Sequence, residues 1–535
     1  MHAFRISART IAFALALAGT TLLFTAAQAD TVTEWNSIWL DCIRATGGPP
    51  CPIARAGAMV HAAVYDAVNS IHPQYGAYLA TIPAAADASP DAAAAAAAHD
   101  VLVALYPGRQ TILDAALAAS LGRIPDGDSK TAGIQIGQQA ALNVIQARQN
   151  DGSDDATPYT IGTAPGEWRP TYPDYTSPPF SPNWGIVTPW VIQSGQQFRP
   201  RGPLGFTDLQ RILIDPKYTK MFRDVKELGA RNSKKRSVYQ TQTAFFWAND
   251  VDGTYKPPGH LNAVAQVLSA QRHLTLEENA RFFAILNLAL GDAGIVAWDC
   301  KYRTGVDFWR PITGIREADT DGNPLTIADP TWEPLNAFTP PFPAYISGHA
   351  TFASTAAAIF RKYFGTDKMT FTVTTDEPLY TGGARTYRTF SEAAVENAQS
   401  RIFLGVHWQF DEDDGLAAGR ALGEYVFAHA LLPLDAGAPL ASATPAARLS
   451  LPVAAGAAPG TIKYTLTASG SVRVAIFDVR GRLVRTLIDG WQAAGPQVVR
   501  WDRRDAGGGP VAAGIYFARV EANRTAISAK IAVFK

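Results

Sequence analysis

The sequence predicts a mainly α-helical domain, built as a helical bundle, followed by a small all-β sandwich domain. Three observations support this fold class. Helix-forming residues recur at helical spacing from Asp30 to about residue 433. Residues 434–460 are rich in Ala, Pro and Gly, a composition typical of a linker. From 461 to 535, apolar residues alternate with polar ones, as they do in half-buried strands.

The first 29 residues are predicted to be a signal peptide. Arg5 and Arg9 give a positive start, an uncharged apolar run covers 11–27, and Ala27 to Ala29 form a small-x-small cleavage signature. The run is shorter than the roughly 20 residues that span a bilayer, and no comparable stretch follows. We therefore expect a soluble protein without a membrane span, exported to the periplasm or secreted. An uncleaved anchor helix is the alternative.

The helices are predicted from helix formers and from capping signatures. Thr275 to Glu278 forms a capping box before an apolar run to about Cys300, and Thr389 to Glu392 forms a second one before a helix to about Leu404. Residues 347–364 also favour a helix. The remaining predicted helices cover 58–71, 91–105, 114–121 and 132–148.

The strands of the C-terminal domain are predicted from its period of two. Four segments show the alternation: Ile462 to Leu466, Val472 to Ile476, Ile515 to Phe517 and Ile531 to Val533. About 75 residues with several short strands favour a small antiparallel sandwich. No cluster of catalytic residue types occurs in this domain.

Charge and cysteine content exclude several classes of protein. The 47 basic residues balance the 47 acidic ones, which argues against a dedicated nucleic-acid-binding protein. Three cysteines are too few for a disulfide scaffold. Export permits a bridge between Cys42 and Cys51, which flank a Gly-Gly-Pro-Pro turn, and the sequence leaves this bridge and free thiols equally open. Cys300 is expected to be a buried, unpaired side chain.

Three segments concentrate the residue types that bind anions. The segments are 298–311, 342–349 and 400–408. They place three cations (Lys301, Arg310 and Arg401), a serine beside a glycine, and two histidines near predicted helix ends. Ser347 and Gly348 would begin a helix, where free N–H groups and the helix dipole favour an anion. Arg401 would lie near a helix end, and Gly405 would end that helix and turn His407 back. Although single arginines and histidines are more often ion-pair or core residues, this combination favours a site for a tetrahedral oxyanion such as phosphate or vanadate.

These segments resemble the signature of the vanadium-dependent haloperoxidases and the related type-2 acid phosphatases, the PAP2 superfamily. That signature is Lys…Arg-Pro, then Ser-Gly-His, then Ser-Arg…Gly-x-His. The likeness is greatest to fungal-type chloroperoxidases, and it covers about residues 31–432. It implies that residues 30–433 form a helical haloperoxidase-like catalytic domain. The C-terminal domain, 461–535, resembles FlgD-type immunoglobulin-like modules through 477–482 and 514–517, which implies attachment to a surface or partner, or added stability.

The resemblance implies vanadate as the cofactor, with phosphate as a competing oxyanion. His407 would bond the vanadium, and its oxygens would be held by Arg310, Arg401, the Ser347 hydroxyl and the Gly348 N–H. The resemblance further implies that His349 protonates bound peroxide, that Lys301 hydrogen-bonds this peroxide, and that Asp250 orients one of the arginines.

The lysine position departs from the family pattern. The family's lysine precedes its motif arginine by seven positions, whereas Lys301 precedes Arg310 by nine. Either two residues are inserted after Lys301, or Arg303 replaces the lysine. We favour Lys301, because Trp298 matches a pocket tryptophan and falls on the same helix face. Trp298 and Phe342 would form the halide pocket, and an aromatic residue at position 342 accompanies chloride oxidation in the family.

The sequence thus supports three functions. The first is a vanadate-dependent peroxidase that oxidises chloride or bromide with hydrogen peroxide to hypohalous acid, with an organic halogen acceptor also compatible. The second is an acid phosphatase in which His407 becomes a phosphohistidine and His349 protonates the leaving group. The third is a non-catalytic exported oxyanion-binding protein.

The acidic run Asp411 to Asp414 is predicted to be the first turn of a helix rather than a cation site. An oligomer is compatible with the sequence.

Overall fold

The computed structural model describes residues 30–434 and, in the C-terminal domain, 461–466, 470–478, 482–492, 495–522 and 525–533. The predicted signal peptide, and all of the predicted linker except Leu434, lie outside the described residues.

The N-terminal described range is mainly helical, as predicted. It forms fourteen α-helices: α1 Thr31–Thr46, α2 Pro50–Ile71, α3 Pro90–Leu105, α4 Gln110–Gly122, α5 Asp128–Arg148, α6 Leu209–Leu213, α7 Pro216–Leu228, α8 Val238–Phe246, α9 Lys256–Arg272, α10 Leu276–Tyr302, α11 Pro311–Arg316, α12 Gly348–Phe364, α13 Phe390–Leu404 and α14 Gln409–His429. The predicted helices are confirmed, although α2 begins eight residues before the predicted start at 58. Proline in a first helical turn has no intrahelical N–H bond to lose, so Pro50 can begin the helix.

Helix α10 is the centre of the bundle and carries part of the site at its end. The Thr275 capping box is present as predicted, with Thr275 and Glu278 bonded reciprocally. The helix is long and apolar enough to cross a membrane, but its most apolar window is entirely buried against other parts of the protein. It packs on α2, α12 and α14. A helix that is apolar all round and enclosed in this way is a core helix.

Three glycines bring α14 close to α12. Gly415, Gly419 and Gly423 follow each other at i+4 spacing, so they form one stripe along α14. A Cβ on Gly419 would overlap the Thr351 carbonyl oxygen, and a Cβ on Gly415 would lie 3.0 Å from the Ser347 carbonyl oxygen. Without side chains there, the first turn of α14 lies directly against the N-terminus of α12.

A two-stranded antiparallel hairpin interrupts the helical domain. Its strands are β1 Lys368–Val373 and β2 Arg385–Thr389, and neither was predicted. The second predicted capping box forms only in part. Thr389 Oγ1 accepts from the Glu392 N–H at 2.9 Å, but the Glu392 carboxylate accepts from the N–H of Arg388 rather than from that of Thr389. This half of the prediction is wrong, because the chain enters the helix directly from β2.

The C-terminal domain is all β. Its described residues form β3 Thr461–Leu466, β4 Gly470–Asp478, β5 Leu483–Gln492, β6 Gly495–Arg500, β7 Gly514–Ala522 and β8 Thr525–Val533. The antiparallel sheets have strand orders β3-β6 and β5-β4-β7-β8. Their own core includes Val474, Ile476, Trp501 and Val520. The four predicted strands are confirmed as parts of β3, β4, β7 and β8.

The three cysteines are free thiols, and all are buried. The bridge between Cys42 and Cys51 is therefore wrong, and the free-thiol alternative is correct. Cys42 packs in the core on α1, while Cys51 Sγ lies 3.9 Å from the Gly294 carbonyl oxygen of α10. Cys300 is buried and unpaired, as predicted.

Candidate oxyanion-binding site

The three predicted segments meet at one place in the helical domain, and each contributes from a helix end. Lys301 lies in the last turn of α10, Ser347 is the N-cap residue of α12, and Arg401 lies in the last turn of α13. Arg310 is the N-cap residue of α11, and His407 lies between α13 and α14. Gly405 ends α13 with φ of 79°, the left-handed conformation that glycine adopts readily, and this turns the chain back toward the site as predicted.

The bonding partners of His407 determine its tautomer. Arg310 Nη1 lies 3.0 Å from His407 Nε2, and a guanidinium can only donate. Nε2 is therefore the acceptor, and Nδ1 carries the proton that it donates to Asp411 Oδ2 at 2.9 Å. Burial, and then the nearby Arg310, lowers the pKa of His407 well below its usual value, so the ring is neutral. His407 thus presents a lone pair on Nε2 beside a cation.

The two motif arginines keep part of their hydrogen-bonding capacity. Arg310 donates through Nε to the Phe342 carbonyl oxygen at 2.7 Å and through Nη1 to that of Val406 at 2.8 Å. Arg401 donates through Nη2 to Asp250 Oδ2 at 2.7 Å. Arg310 Nη2 and Arg401 Nε and Nη1 are buried and have no partner within the described part of the chain. Because unpaired buried donors are costly, these three nitrogen atoms fit the oxygens of a bound oxyanion.

The N-terminus of α12 supplies backbone N–H groups. Ser347 Oγ accepts from the Ala350 N–H at 3.3 Å, and the Ser347 N–H donates to the Asp411 carbonyl oxygen at 3.0 Å. The first N–H groups of a helix lack intrahelical partners and favour anions. A Cβ on Gly348 would lie 3.3 Å from the Trp298 ring, so a glycine suits this close approach.

His349 is nine-tenths buried on the next position of α12. Its Nε2 donates to the Ala248 carbonyl oxygen at 3.2 Å. Burial, followed by repulsion from Arg401, lowers the pKa of His349 to about 4. Burial alone would raise the pKa of Asp250, but the Arg401 guanidinium lowers it, so this carboxyl is ionised at neutral pH. Asp250 therefore pairs with Arg401, as predicted.

Lys301, and not Arg303, faces the interior at this site. Arg303 is the exposed C-cap residue of α10, whereas the Lys301 side chain is fully buried. Its Nζ donates to the carbonyl oxygens of Pro343 at 2.9 Å, Ala344 at 3.0 Å and Ile346 at 2.5 Å. These contacts use all three donors of the ammonium group and fasten the segment that leads into Ser347.

The site forms the floor of a cleft of about 590 Å³. Gly348, His349, Arg401 and His407 line its floor. Trp298 and Phe342 line the adjacent wall with ring centroids 5.0 Å apart. The described residues contain no group of three His, Cys, Asp or Glu side chains that could hold a metal cation. This arrangement suits an anion held by arginines and N–H groups beside one histidine.

Comparisons with known proteins agree with this geometry. Residues 281–435 match the model of the VCPO second helical-bundle domain, which contains all three motif segments. The vanadium chloroperoxidase of Curvularia inaequalis is 30% identical over 486 aligned positions, covering 70% of this chain and 78% of that protein. The chain belongs to the vanadium haloperoxidase family. Its C-terminal domain matches the FlgD Ig-like domain over 448–526.

Solved vanadium haloperoxidase structures share the fold. A bacterial vanadium-dependent iodoperoxidase superposes with a TM-score of 0.65 at 24% identity, covering 76% of this chain and 97% of that one. A holo-type bacterial vanadium-dependent chloroperoxidase superposes with a TM-score of 0.55 at 18% identity, covering 75% and 93%. The helical-bundle fold predicted for a haloperoxidase is thereby confirmed.

The sequence reasoning missed two buried carboxyls beside this site. Asp411 and Glu412 do lie in the first turn of α14, as predicted, but both are fully buried. Asp411 Oδ2 also accepts from the Trp408 N–H at 2.8 Å, and burial raises the pKa of Asp411 to about 7. The i+4 spacing from His407 to Asp411 was the available signal.

Glu412 is the more unusual of the two. Neither of its carboxyl oxygens has a hydrogen-bond partner among the residues the structure describes. Burial, and then the neighbouring Asp411, raises the pKa of Glu412 well above its usual value, while the Arg401 guanidinium acts in the other direction. Burial therefore favours the neutral form of the Glu412 carboxyl, which lies under the N-terminus of α12.

Proposed function

We propose that this chain is a vanadate-dependent haloperoxidase that oxidises halide with hydrogen peroxide to hypohalous acid. The observation that carries this proposal is the His407 Nε2 lone pair beside partnerless N–H groups. Arg310 Nη2 and Arg401 Nε and Nη1 supply those groups, and each is buried without an acceptor in the described ranges. One neutral nitrogen ligand with several fixed donors matches what vanadate requires.

The residues that would hold vanadate follow from this donor set. His407 Nε2 would bond the vanadium, while Arg310, Arg401, the Ser347 hydroxyl and the Gly348 N–H would bind its oxygens. When bound, vanadate supplies Lewis-acid activation of peroxide without a redox change at the metal. Lys301 fastens the segment before Ser347 through its contacts with three carbonyl oxygens.

His349 is the proposed acid–base residue. As a neutral ring that donates through Nε2 to Ala248, it keeps a lone pair on Nδ1 and can accept a proton there. Asp250 holds Arg401 in place and favours the protonated form of His349. His349, with Asp250 nearby, can therefore move a proton to or from an oxygen at the cleft floor.

Trp298 and Phe342 are the proposed halide pocket. Phe342 packs 5.0 Å from the Lys301 Nζ and 4.7 Å from the Arg310 guanidinium carbon, both measured to the ring centroid. Both groups lie over the ring, and a weakly hydrated anion at the positively polarised ring edge would lie near them. We propose chloride and bromide as the halides, with the aromatic residue at 342 favouring chloride.

A phosphatase using the same groups is the alternative, because His407 Nε2 could also attack a phosphoryl group. A simple assay separates the two. The oxyanion-free protein is given p-nitrophenyl phosphate, and vanadate is then added with peroxide and chloride, bromide or iodide. We expect halide oxidation only after vanadate. Phosphate ester hydrolysis that vanadate inhibits, or a protein that binds vanadate and oxidises none of the three halides, would overturn the proposal.

We also propose that the protein is exported after removal of residues 1–29. Asp30, the first residue of the proposed mature chain, caps α1 by accepting from the Thr33 N–H at 2.9 Å. The fold can therefore begin directly at the cleavage site. N-terminal sequencing of the protein from a bacterial periplasm or culture medium should give Asp30, and an uncut chain retained in the membrane would contradict it.

A further inference from the structure

The turn that follows α8 supplies hydrogen-bond acceptors to two groups of the proposed vanadate site. The Ala248 carbonyl oxygen accepts from His349 Nε2 at 3.2 Å, and Asp250 Oδ2 accepts from Arg401 Nη2 at 2.7 Å. One acceptor is a backbone group and the other a side chain, and they bond residues of two different helices, α12 and α13. Asn249 lies between them, so the conformation of this one residue sets the direction of both acceptors.

Asn249 has an uncommon backbone conformation. Its φ is 45°, in the left-handed region, and the residue is fully buried. Asparagine enters this region more readily than most residues that carry a side chain. Such a conformation persists in the interior when the surrounding structure holds it in place. The contacts of the Asn249 amide group show what holds it.

His260 determines which way the Asn249 amide faces. His260 Nε2 lies 3.0 Å from the Thr374 carbonyl oxygen, which can only accept, so Nε2 carries the ring proton. Burial lowers the pKa of His260 to about 3, so the ring is neutral and Nδ1 keeps a lone pair. Asn249 Nδ2, 3.1 Å from this Nδ1, is therefore the donor. The NH₂ group of Asn249, and not its carbonyl oxygen, faces α9.

Two threonines complete the attachment of Asn249. Its Nδ2 also donates to Thr375 Oγ1 at 3.0 Å, and its backbone carbonyl oxygen accepts from Thr254 Oγ1 at 3.0 Å. Asn249 is thus bonded to α9, to the segment after β1 and to the loop before α9. It is not among the described residues that line the cleft. Asn249 can therefore act on the site only through its neighbours Ala248 and Asp250.

We propose that Asn249 is a positioning residue for the acid–base part of the oxyanion site. Its amide, held by α9 and by the segment after β1, fixes the turn that bonds both His349 and Arg401. It thereby aims the free Nδ1 of His349 toward the cleft floor. The effect on catalysis rests on the proposed function, whereas the effect on oxyanion binding does not.

The measurable consequence is a coupling between sulfate binding and protonation of His349. The pKa of His349 is about 4 in the free protein, so the ring is neutral at pH 5 to 7, where sulfate remains a dianion. A correctly aimed ring takes up a proton as sulfate binds, so the affinity rises as the pH falls. The titratable and charged groups around His349 and Asp250 keep their identity in every variant used below: Arg401, Asp250, Lys256, Glu377, His260 and His407.

The first test removes the Asn249 amide and keeps the turn accessible. Glycine adopts positive φ without strain, so Asn249→Gly removes the amide contacts but not the backbone conformation. In calorimetric titrations with sulfate at pH 5, 6 and 7, we expect Asn249→Gly to lose at least half of the logarithmic increase in affinity of the wild type. His273→Gly, at an exposed left-handed residue that ends α9, is the matched control and should keep the full increase. A profile of Asn249→Gly parallel to that of the wild type would overturn the proposal, even if the variant were less stable.

A milder pair of variants decides the question if Asn249→Gly does not fold. Thr375→Val removes one acceptor of the Asn249 amide, and Thr375→Ser keeps it. We expect the valine variant to lose at least a quarter of the logarithmic increase and the serine variant to match the wild type. Denaturant unfolding of each variant separates lost stability from lost alignment. Identical sulfate profiles for Thr375→Val, Thr375→Ser and the wild type would also overturn the proposal.

Bromide oxidation by the vanadate-loaded enzyme is measured in parallel. Asn249→Gly should lower kcat about tenfold, because a misaligned group loses part of the roughly 10²–10⁴-fold that acid–base catalysis contributes, while the KM for bromide stays within about threefold. An unchanged kcat would contradict the effect on catalysis. If the wild type oxidises no halide, the proposed function has failed, and the sulfate profiles alone decide whether Asn249 positions His349.

Discussion

His407 donates its Nδ1 proton to Asp411 Oδ2 across 2.9 Å, and this bond determines which ring nitrogen faces the oxyanion site. The same carboxylate oxygen accepts from the Trp408 N–H at 2.8 Å, which fixes the turn that carries His407. Partners of this kind set both the orientation and the basicity of a metal-binding histidine.

Asp411→Asn tests this relationship. The Asn carbonyl oxygen can still accept from Nδ1 and from the Trp408 N–H, but the substitution removes the carboxylate charge that increases the basicity of Nε2. We expect the vanadate Kd, measured by equilibrium dialysis, to rise about 10- to 100-fold. Asp413→Asn, at an exposed position of the same helix turn, is the control. An unchanged Kd in Asp411→Asn would contradict the role assigned to the Asp411 carboxylate.

Lys301→Met and Arg303→Met separate the two candidate cations. Lys301 satisfies three buried carbonyl groups, so its loss should reduce the free energy of unfolding by about 2 kcal/mol or more. It should also weaken phosphate binding at least tenfold. Arg303 is exposed, and its replacement should change neither quantity measurably. Denaturant unfolding and calorimetry measure both. A larger effect on phosphate binding from Arg303→Met would reverse the assignment.

Glu412→Gln tests whether the buried carboxyl is neutral. Glutamine is nearly isosteric with the protonated acid, so we expect phosphate affinity at pH 7 within twofold of the wild type. If Glu412 were ionised, the substitution would remove a negative charge beneath the site and tighten phosphate binding tenfold or more. Calorimetric titration distinguishes the two outcomes, and Glu412→Asp shows how much side-chain length contributes.

The pKa of His349 predicts a pH dependence of oxyanion binding. In the free protein, burial and Arg401 lower this pKa to about 4, so the ring is neutral above that pH. A bound dianion stabilises the protonated ring and raises the pKa. Binding then takes up a proton, and affinity should increase as the pH falls from about 6.5 toward 4, by at most tenfold per pH unit.

Sulfate is the suitable probe, because it stays a dianion over this range. We expect the wild type to bind sulfate more tightly at pH 5 than at pH 7, and His349→Gln to lose at least half of that logarithmic increase. Other buried carboxyls contribute equally in both proteins. Parallel pH profiles of the wild type and the variant would rule out His349 as the proton acceptor.

The sequence predicted best those site residues that lie at a helix end. N-capping serines and helix-ending glycines are local signals in the sequence. They correctly predicted the helix-end positions of Ser347, Gly348 and Arg401. The choice between Lys301 and Arg303 required the long-range packing of α10 against the segment before α12. Spacing within one helix could not show which cation faced inward.

The burial of Asp411 and Glu412 in the acidic run was the main feature that the sequence could not predict. Asp411 and Glu412 resemble a solvated first turn of a helix, and their local signal is correct. What buries them is the glycine stripe of α14, Gly415, Gly419 and Gly423, which permits close contact with α12. The predicted disulfide was wrong because long-range packing decides it as well. Cys42 and Cys51 are close in sequence, but each packs into the core as a free thiol.

The most direct test of the central claim is a vanadate titration of the oxyanion-free protein with peroxide and bromide present. The account predicts bromide oxidation that rises with vanadate and reaches a plateau at one vanadate per chain. His407→Ala should stay inactive at the same concentrations, while the exposed His72→Ala should match the wild type. Oxidation in His407→Ala equal to that of the wild type, or none in the wild type at saturating vanadate with bromide, chloride or iodide, would contradict it.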